Sequence, residues 1–291
     1  MTAPMQTTSA SSAPQEPTGG GFGGDQQGLA MGVRRFGRWN WLGLVSLIRR
    51  EVLRFTVVWT QTLLAPLATA ALFLTIFALA IGPTRGDVMG VPFLHFLAPG
   101  ILTMTVIQNA FTNTSSSIMV SKVQGNIVDT LMPPLSPLEL TVGYMVGGVA
   151  RGLVVASVIW VALAITVGLP MVHPLATLTF VVLGALMLGG IGVIAGIYSQ
   201  KFDQMAAITN FVITPLSFLS GTFYSVETLP AWFRALTHVN PVFYLIDGVR
   251  FGVIGQSDSA PLLGLAVVGA TTAAIVFACW RMFTLGTRLK S

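Results

Sequence analysis

Few side chains of this chain have the type and spacing for bond-making chemistry. His95, His173 and His238 stand too far apart for a local metal signature such as H-E-x-x-H, so no metal is expected. The single cysteine, Cys279, excludes a disulfide framework, a CxxC pair and a zinc spacing. No G-x-x-x-x-G-K-S/T occurs, so nothing here cradles nucleotide phosphates with a P-loop lysine. Gly190-x-Gly192-x-x-Ala195 spells a dinucleotide fingerprint, but it lies in an apolar stretch with no strand before it and no acid about 20 residues on. It reads as close helix packing, as do Gly192-x-x-x-Gly196, Gly143-x-x-x-Gly147 and Gly148-x-x-x-Gly152. An intramembrane acyltransferase or protease would need a nucleophile and base meeting at one depth, and no such set exists, so no catalytic residue is assigned.

What remains is a set of amides, hydroxyls and guanidiniums inside apolar sequence, where polar groups cost free energy and turn toward the bundle interior. Gln108 to Ser117 is the densest run, and helical periodicity puts Asn109, Thr112, Asn113 and Ser116 on one face. That face either lines a translocation path or makes interhelical hydrogen bonds. Asn210 and Ser217 are further path candidates in a stretch where Thr214–Pro215 predicts a kink, because proline frees a backbone carbonyl that Ser or Thr can satisfy. Arg151 is the one full charge deep in an apolar stretch, with Glu139, Asp129 or a partner helix as possible counter-charges, and a packing or topology role as the alternative.

The elements that must position these groups are membrane helices. A span needs about 20 apolar residues to cross a hydrocarbon core of about 30 Å. Six stretches qualify: Val57–Ile81, Phe93–Ile118, Leu140–Leu169, Leu175–Ile197, Met205–Tyr224 and Leu262–Phe283. The composition agrees, with 53% hydrophobic and 9% charged residues and a mean hydropathy of +0.78, against about 25% charged in soluble domains. The net charge of +5 does not signal nucleic acid, because the basic residues cluster beside apolar spans. Arg34, Arg35, Arg38, Arg49, Arg50, Arg54, Lys122, Lys201, Arg281, Arg288 and Lys290 fall on one side, and Arg85, Arg234 and Arg250 on the other. By the positive-inside rule both termini are cytoplasmic, which requires an even number of spans.

Residues 1–33, rich in Ser, Thr, Gln, Pro and Gly, predict a disordered cytoplasmic tail and lack the basic-then-apolar order of a secretory signal. Residues 34–56 mix Trp39, Trp41, Leu44, Leu47 and Phe55 with Arg38, Arg49, Arg50, Glu51 and Arg54. They read as an amphipathic helix in the membrane interface, its arginines reaching lipid phosphates, or as the basic flank of the first span. The cytoplasmic stretch Met119–Glu139 carries Ile127, Val128 and Leu131 before Pro133–Pro134 and predicts a short helix on the membrane face, with a plain solvated loop as the alternative. In the outer stretch Ser225–Ser259, Ala231–His238 and Val242–Ile254 are apolar but too short to span, and predict re-entrant helices or an ordinary external loop.

This order of elements resembles the ABC-2-type permease family of ATP-driven exporters. The residues that carry the resemblance run from Trp39 onward. They include Phe96–Leu97–Ala98–Pro99–Gly100, Gly143–Tyr144 with Gly147–Gly148–Val149–Ala150–Arg151–Gly152, Lys201–Phe202–Asp203 and Thr214–Pro215–Leu216. The outer run Phe223–Tyr224–Ser225…Leu229–Pro230…Asn240–Pro241…Tyr244…Asp247–Gly248…Arg250 completes it. The resemblance implies a homodimer of this subunit on two copies of a separate nucleotide-binding ATPase, with ATP and Mg on that partner and no cofactor in this chain. It implies a coupling helix seated on the ATPase, with Gln124, Gly125, Asn126, Ile127 and Asp129 at the contact and Arg49, Arg50, Glu51 and Arg54 in the connecting helix. The family pattern has a basic residue where Gly125 stands and Glu where Val128 stands, leaving Asp129 as the remaining acid. Phe223 and Tyr224 would form an aromatic outer gate at the dimer seam, or an interfacial aromatic belt.

The expected fold is an all-α polytopic membrane protein: residues 57–291 form six transmembrane helices, preceded by the interfacial helix and carrying a cytoplasmic coupling helix and short re-entrant helices between the fifth and sixth spans. The expected function is the permease subunit of an ATP-driven exporter in a bacterial inner membrane, embedded in lipid, moving an amphipathic, lipid-linked or hydrophobic molecule by alternating access. A multidrug-type efflux permease and a non-transporting membrane anchor are the alternatives. Carboxylates are missing from the spans apart from Glu139 and Asp247 at the edges, which disfavours ion-driven antiport.

Overall fold

Proline opens helix after helix in this chain. The computed structural model describes residues 39–82, 84, 86–126 and 135–286. Among them every helix is α, π or 3-10, and the only bridge pairs Val88 with Val91. Helix α1 (Trp41–Val57) is capped by Asn40, whose side chain accepts from the Gly43 amide at 3.0 Å. A π turn (Thr60–Leu64) leads into α2 (Ala65–Ala80), with Pro66 in its first turn. Helix α3 (Phe93–Val123) follows Pro92 and closes at Gly125, whose φ of +73° only glycine adopts freely. Helix α4 (Pro137–Val167) starts in a capping box, in which Ser136 Oγ accepts from the Glu139 amide and Glu139 accepts from the Ser136 amide at 2.7 Å. Helix α5 (Pro174–Tyr198) also begins at proline, where the missing N–H is not needed.

Beyond α5 the chain is more broken. Helix α6 (Phe202–Ile208), a π turn (Thr209–Ile213) and α7 (Thr214–Phe218) form one helical run, followed by α8 (Ala231–Val239), α9 (Pro241–Ile254) and α10 (Pro261–Leu285). Five helical runs are long and apolar enough to cross a membrane: Thr60–Ala80, α3, α4, α5 and α10, of 21, 31, 31, 25 and 25 residues. The chain is therefore a polytopic helical membrane protein. The stretch expected as the fifth span is helical only over 202–218, which at about 1.5 Å per residue reaches roughly 25 Å. Its irregularity sits beside Pro215, which lacks the donor for an i−4 bond, and the wider π turn before it accommodates the ring. Pro66 follows the Thr60–Leu64 π turn in the same way.

The core is the α3–α5 pair. Buried residues make up 78% of the most apolar window of α3 and 72% of that of α5, against 33% for α4, 22% for α10 and 11% for the Thr60–Ala80 run. Glycines allow the close approach. A Cβ on Gly192 would sit 2.5 Å from the Phe111 carbonyl oxygen and collide with Thr114 Oγ1, and one on Gly196 would sit 3.0 Å from the Ser115 carbonyl oxygen. The dinucleotide-like glycines are thus packing residues, as expected. Helix α9 is buried against α3, α5 and α10, and α1 lies along α4, where Gly143 faces Leu47 and Gly147 faces Glu51.

The ends of the bundle differ. At one end Lys122 Nζ donates to the Ile197 and Ser199 carbonyls at 2.7 Å each, capping α5. Tyr144 stacks on Phe283 there, and α1 carries its arginines beside them. At the other end His173 N–H donates to the Gly252 carbonyl at 2.7 Å and His95 Nε2 lies 3.0 Å from the Val167 carbonyl. The tail at 1–33 and the first residues of the expected entry helix, 34–38, lie outside the described residues, as do Ile127, Val128, Asp129 and Leu131.

Candidate coupling and translocation site

At the basic end, a buried carboxylate gathers three helices. Glu51 of α1 is fully buried, because Gly147 leaves room for its side chain against α4. Its Oε1 accepts from Ser117 Oγ of α3 at 2.7 Å and from Arg50 Nη2 at 3.1 Å, and its Oε2 lies 3.3 Å from Arg54 Nη2. Arg54 reaches on into α3, donating from Nη1 to Ser116 Oγ at 3.1 Å and from Nη2 to Asn113 Oδ1 at 2.9 Å and to the Asn113 carbonyl. Arg50 also reaches the Tyr144 hydroxyl of α4 at 3.4 Å. Burial alone would lower the Arg50 guanidinium, but Tyr144 and Glu51 hold it above the usual arginine value. The helix start is tied as well, since Glu139 accepts from the Asn40 amide in addition to its own capping box. Glu139 is thereby committed, and Arg151 does not pair with it. Among the described residues Arg151 makes no hydrogen bond or ion pair.

Of the residues expected at the coupling contact, Gln124, Gly125 and Asn126 form the exposed turn that ends α3, while Ile127 and Asp129 lie outside the described residues. Arg49 is exposed on α1. Of the expected path residues, Asn109, Thr112 and Ser116 are half-buried along one side of α3, and Asn113 is fully buried between them and α1. The four do share a side of the helix, and its inner half is held by Arg54. Ser217 is buried and donates to the Ile213 carbonyl at 2.8 Å, a local i−4 bond and not one to the Phe211 carbonyl, for which Pro215 has no donor, whereas Asn210 is exposed on the π turn and stands apart from the α3 residues.

At the opposite end, Phe223 packs with Phe73, Phe77 and Phe218 at centroid distances of 5.6, 4.8 and 5.3 Å, joining α2 to the segment after α7. Tyr224 donates its hydroxyl to the Leu219 carbonyl at 2.8 Å. This segment crosses α3 at Gly100, where a Cβ would sit 2.5 Å from the Thr222 carbonyl oxygen. Beneath it lies a charged cluster that the sequence signalled only in part. Arg250 of α9 is fully buried, with Phe96 of α3 4.1 Å from its guanidinium carbon. It donates to the Gly221 carbonyl at 2.7 Å and sits 3.7 Å from Asp247 and 3.6 Å from Asp258. Asp258 accepts from Ser225 Oγ at 2.6 Å and from the Val226 amide at 3.3 Å, and Asp247 accepts from the Asp258 and Ser259 amides. Asp247 and Arg250 stand i, i+3 in an apolar helix, a visible sign of pairing, but the third member arrives only through folding of the chain after α9.

Comparison with known proteins agrees with a polytopic membrane protein. The family model described as ABC-2 type transporter matches residues 43–254. The chain is 34% identical over 251 residues to the inner membrane transport permease YadH of Escherichia coli (strain K12), covering 86% of this chain and 98% of the relative. It is 23% identical over 219 residues to nodulation protein J of Rhizobium meliloti (strain 1021), covering 75% of this chain and 82% of that protein. The corresponding protein of Rhizobium leguminosarum bv. viciae is 24% identical over 231 residues, with 79% and 88% covered.

Proposed function

The chain belongs to the ABC-2 type transporter family, and from that premise we propose that it is the permease subunit of an ATP-driven exporter. Two copies form the conduit on two copies of a separate ATPase, which binds ATP and Mg. The subunit lies in a bacterial inner membrane with both termini cytoplasmic. It spans six times, the run 202–218 with the residues after it serving as the fifth span, and α8 and α9 re-enter from outside. Residues 1–33 are a cytoplasmic tail and 34–56 the connecting helix.

The observation that carries this reading is the Glu51 cluster. It joins α1 to α3 through the buried Glu51–Ser117 bond and a half-buried Arg54 contact, and to α4 through the half-buried Arg50–Tyr144 contact, at the end where the chain between Gln124 and Ser136 emerges. A push delivered by an ATPase to the stretch containing Gln124, Gly125, Asn126, Ile127 and Asp129 would reach α3 and α4 directly, and through Arg50, Glu51 and Arg54 it would reach α1. Because α3 is so fully packed, it would carry the displacement as a body toward Gly100 and the Phe223–Tyr224 segment. The half-buried Asn109, Thr112 and Ser116 would then face the path, together with Asn113 once Arg54 lets go. The cargo is an amphipathic, lipid-linked or hydrophobic molecule.

Co-purification of an ATPase with the permease, and ATP hydrolysis in liposomes that rises with candidate cargo, is the expected result. A permease that binds no ATPase would be a membrane anchor, and the exporter assignment would fall.

A further inference from the structure

Three buried N–H donors at the inner cluster have no partner among the described residues: Arg54 Nε, Asn113 Nδ2 and Arg151 Nε. They come from α1, α3 and α4 and converge on one wedge. A Cβ on Gly147 would lie 2.6 Å from Glu51 Cβ and 3.5 Å from Asn113 Nδ2, so Gly147 faces both other helices. Arg151 is one turn further along the same face of α4, and the charge of Arg54 acts on it. The neighbouring Gly148 and Gly152 pack on Thr114 and Val106 of α3, which places Arg151 between the α1 side and the α3 side of α4. Native structures rarely leave buried donors unmet, and three in one place ask for an acceptor.

Charge points the same way. Among the described residues Glu51 is the one carboxylate that Arg54 contacts, its oxygens are already occupied by Ser117, Arg50 and Arg54, and Arg151 has no carboxylate partner. The remaining positive charge in apolar surroundings calls for an anion. Guanidinium groups match tetrahedral oxyanions through paired charge-assisted hydrogen bonds, and three donors arriving from three helices suit a group with several acceptor oxygens. The wedge adjoins a groove of about 480 Å³ between α1 and α3, lined by Arg50, Arg54, Val57, Ser117 and Gln124 among others. In its lining Leu53 and Val57 are exposed, a surface that suits acyl chains.

We propose that Arg54, Asn113 and Arg151 form a binding site for the net-anionic phosphate headgroup of a membrane amphiphile that enters from the inner leaflet, so that a zwitterionic headgroup, its phosphate already balanced by its own cation, binds more weakly. The proposal rests on the exporter reading and deepens it, by naming the chemical class of what is carried. Arg151 is then a binding residue, and the release of Asn113 from Arg54 is part of loading.

The test uses the full-length permease alone in phosphatidylcholine nanodiscs carrying a trace of spin-labelled phosphatidylglycerol or spin-labelled phosphatidylcholine. The wild type is expected to immobilise the phosphatidylglycerol label about tenfold more tightly, the size of one charge-assisted hydrogen bond. Arg151→Gln should abolish the preference and Arg151→Lys should keep most of it, with melting temperature and monodispersity unchanged. Asn113→Ala gives an independent loss if Arg151→Gln does not fold. A preference that survives both Arg151→Gln and Asn113→Ala, or no preference in the wild type, would overturn the site. Displacement of the label by inorganic phosphate as effectively as by unlabelled phosphatidylglycerol would assign the site to a soluble anion and overturn the amphiphile. No ATPase is present, so a failure here leaves the exporter reading standing, and failure of ATPase co-purification leaves the headgroup result intact.

Discussion

In the proposed transmission between α3 and α1, the bond between Glu51 and Ser117 is one of the contacts that would carry the push, beside those of Arg54, and its strength can be worked out before it is measured. Ser117 Oγ donates to Glu51 Oε1 at 2.7 Å, with 0% of Glu51 and 3% of Ser117 exposed. Neutral hydrogen bonds between membrane helices average about 0.6 kcal/mol in double-mutant cycles. A charged acceptor roughly doubles that strength, and bonds to charged groups are worth about 1.5–3 kcal/mol. The two arginine contacts add less, because Arg50 is 44% and Arg54 30% exposed and each pair is screened to about 1 kcal/mol or below. A cycle of Glu51→Ala, Ser117→Ala and the double variant should therefore give a coupling energy of about 1.5 kcal/mol. With Glu51→Gln in place of Ala the charge is lost but an acceptor remains, and the coupling should fall to roughly half of that. The assay is reversible unfolding in mixed micelles, with ATP hydrolysis and transport measured in parallel on the same variants. Glu51→Ala should leave hydrolysis running while transport drops. A coupling energy below about 0.5 kcal/mol, inside the scatter of additive sites, would show that the bond does not tie α1 to α3 and would remove it from the proposed transmission.

Three other perturbations probe the remaining parts. Gly192→Leu pushes a side chain into Thr114 and the Phe111 carbonyl, and overpacking of about 1–3 kcal/mol should lower the melting temperature by several degrees, so an unchanged melt would argue against close α3–α5 packing. Asp258→Asn weakens the acceptor for Ser225 Oγ and the partner of Arg250, and hydrogen–deuterium exchange should rise over residues 219–226; equal uptake in both proteins would mean that the cluster does not anchor that segment. Asp129→Lys should uncouple ATP hydrolysis from transport while leaving the helices folded, and normal transport by this variant would take the coupling role away from the stretch around it.

Much of the architecture could be read from composition alone, since a long apolar run in lipid has no alternative to helix. Phe93, Pro137 and Pro174 begin their helices within a few residues of expectation. The shared side of Asn109, Thr112, Asn113 and Ser116 follows from the 3.6-residue repeat. Its partner does not, because Arg54 lies 59 residues away from Asn113 and only tertiary packing brings them together. For Arg151 the sequence offered Glu139 as a counter-charge, yet Ser136-Pro-Leu-Glu139 already spelled a capping box that claims this carboxylate. Before Thr214–Pro215, where a kink is expected, the helix carries a π turn, a local choice that residue types do not decide.

The two π turns fall in the least packed helical runs, and this bears on what surrounds them. Thr60, Gln61 and Asn210 are exposed there, among exposed Val57, Leu64 and Phe211. Lipid tails offer an exposed Gln or Asn no hydrogen bond, so such groups belong against another protein surface or beside water. The same runs contain Pro66 and Pro215, which weaken the backbone ladder where tertiary contacts are also fewest. By contrast the glycine-lined α3–α5 pair is too tightly packed to deform. In the proposed dimer, this loosely held flank with its polar groups is the side that a second copy would cover, and a hydrated path between the two would supply what the exposed amides lack.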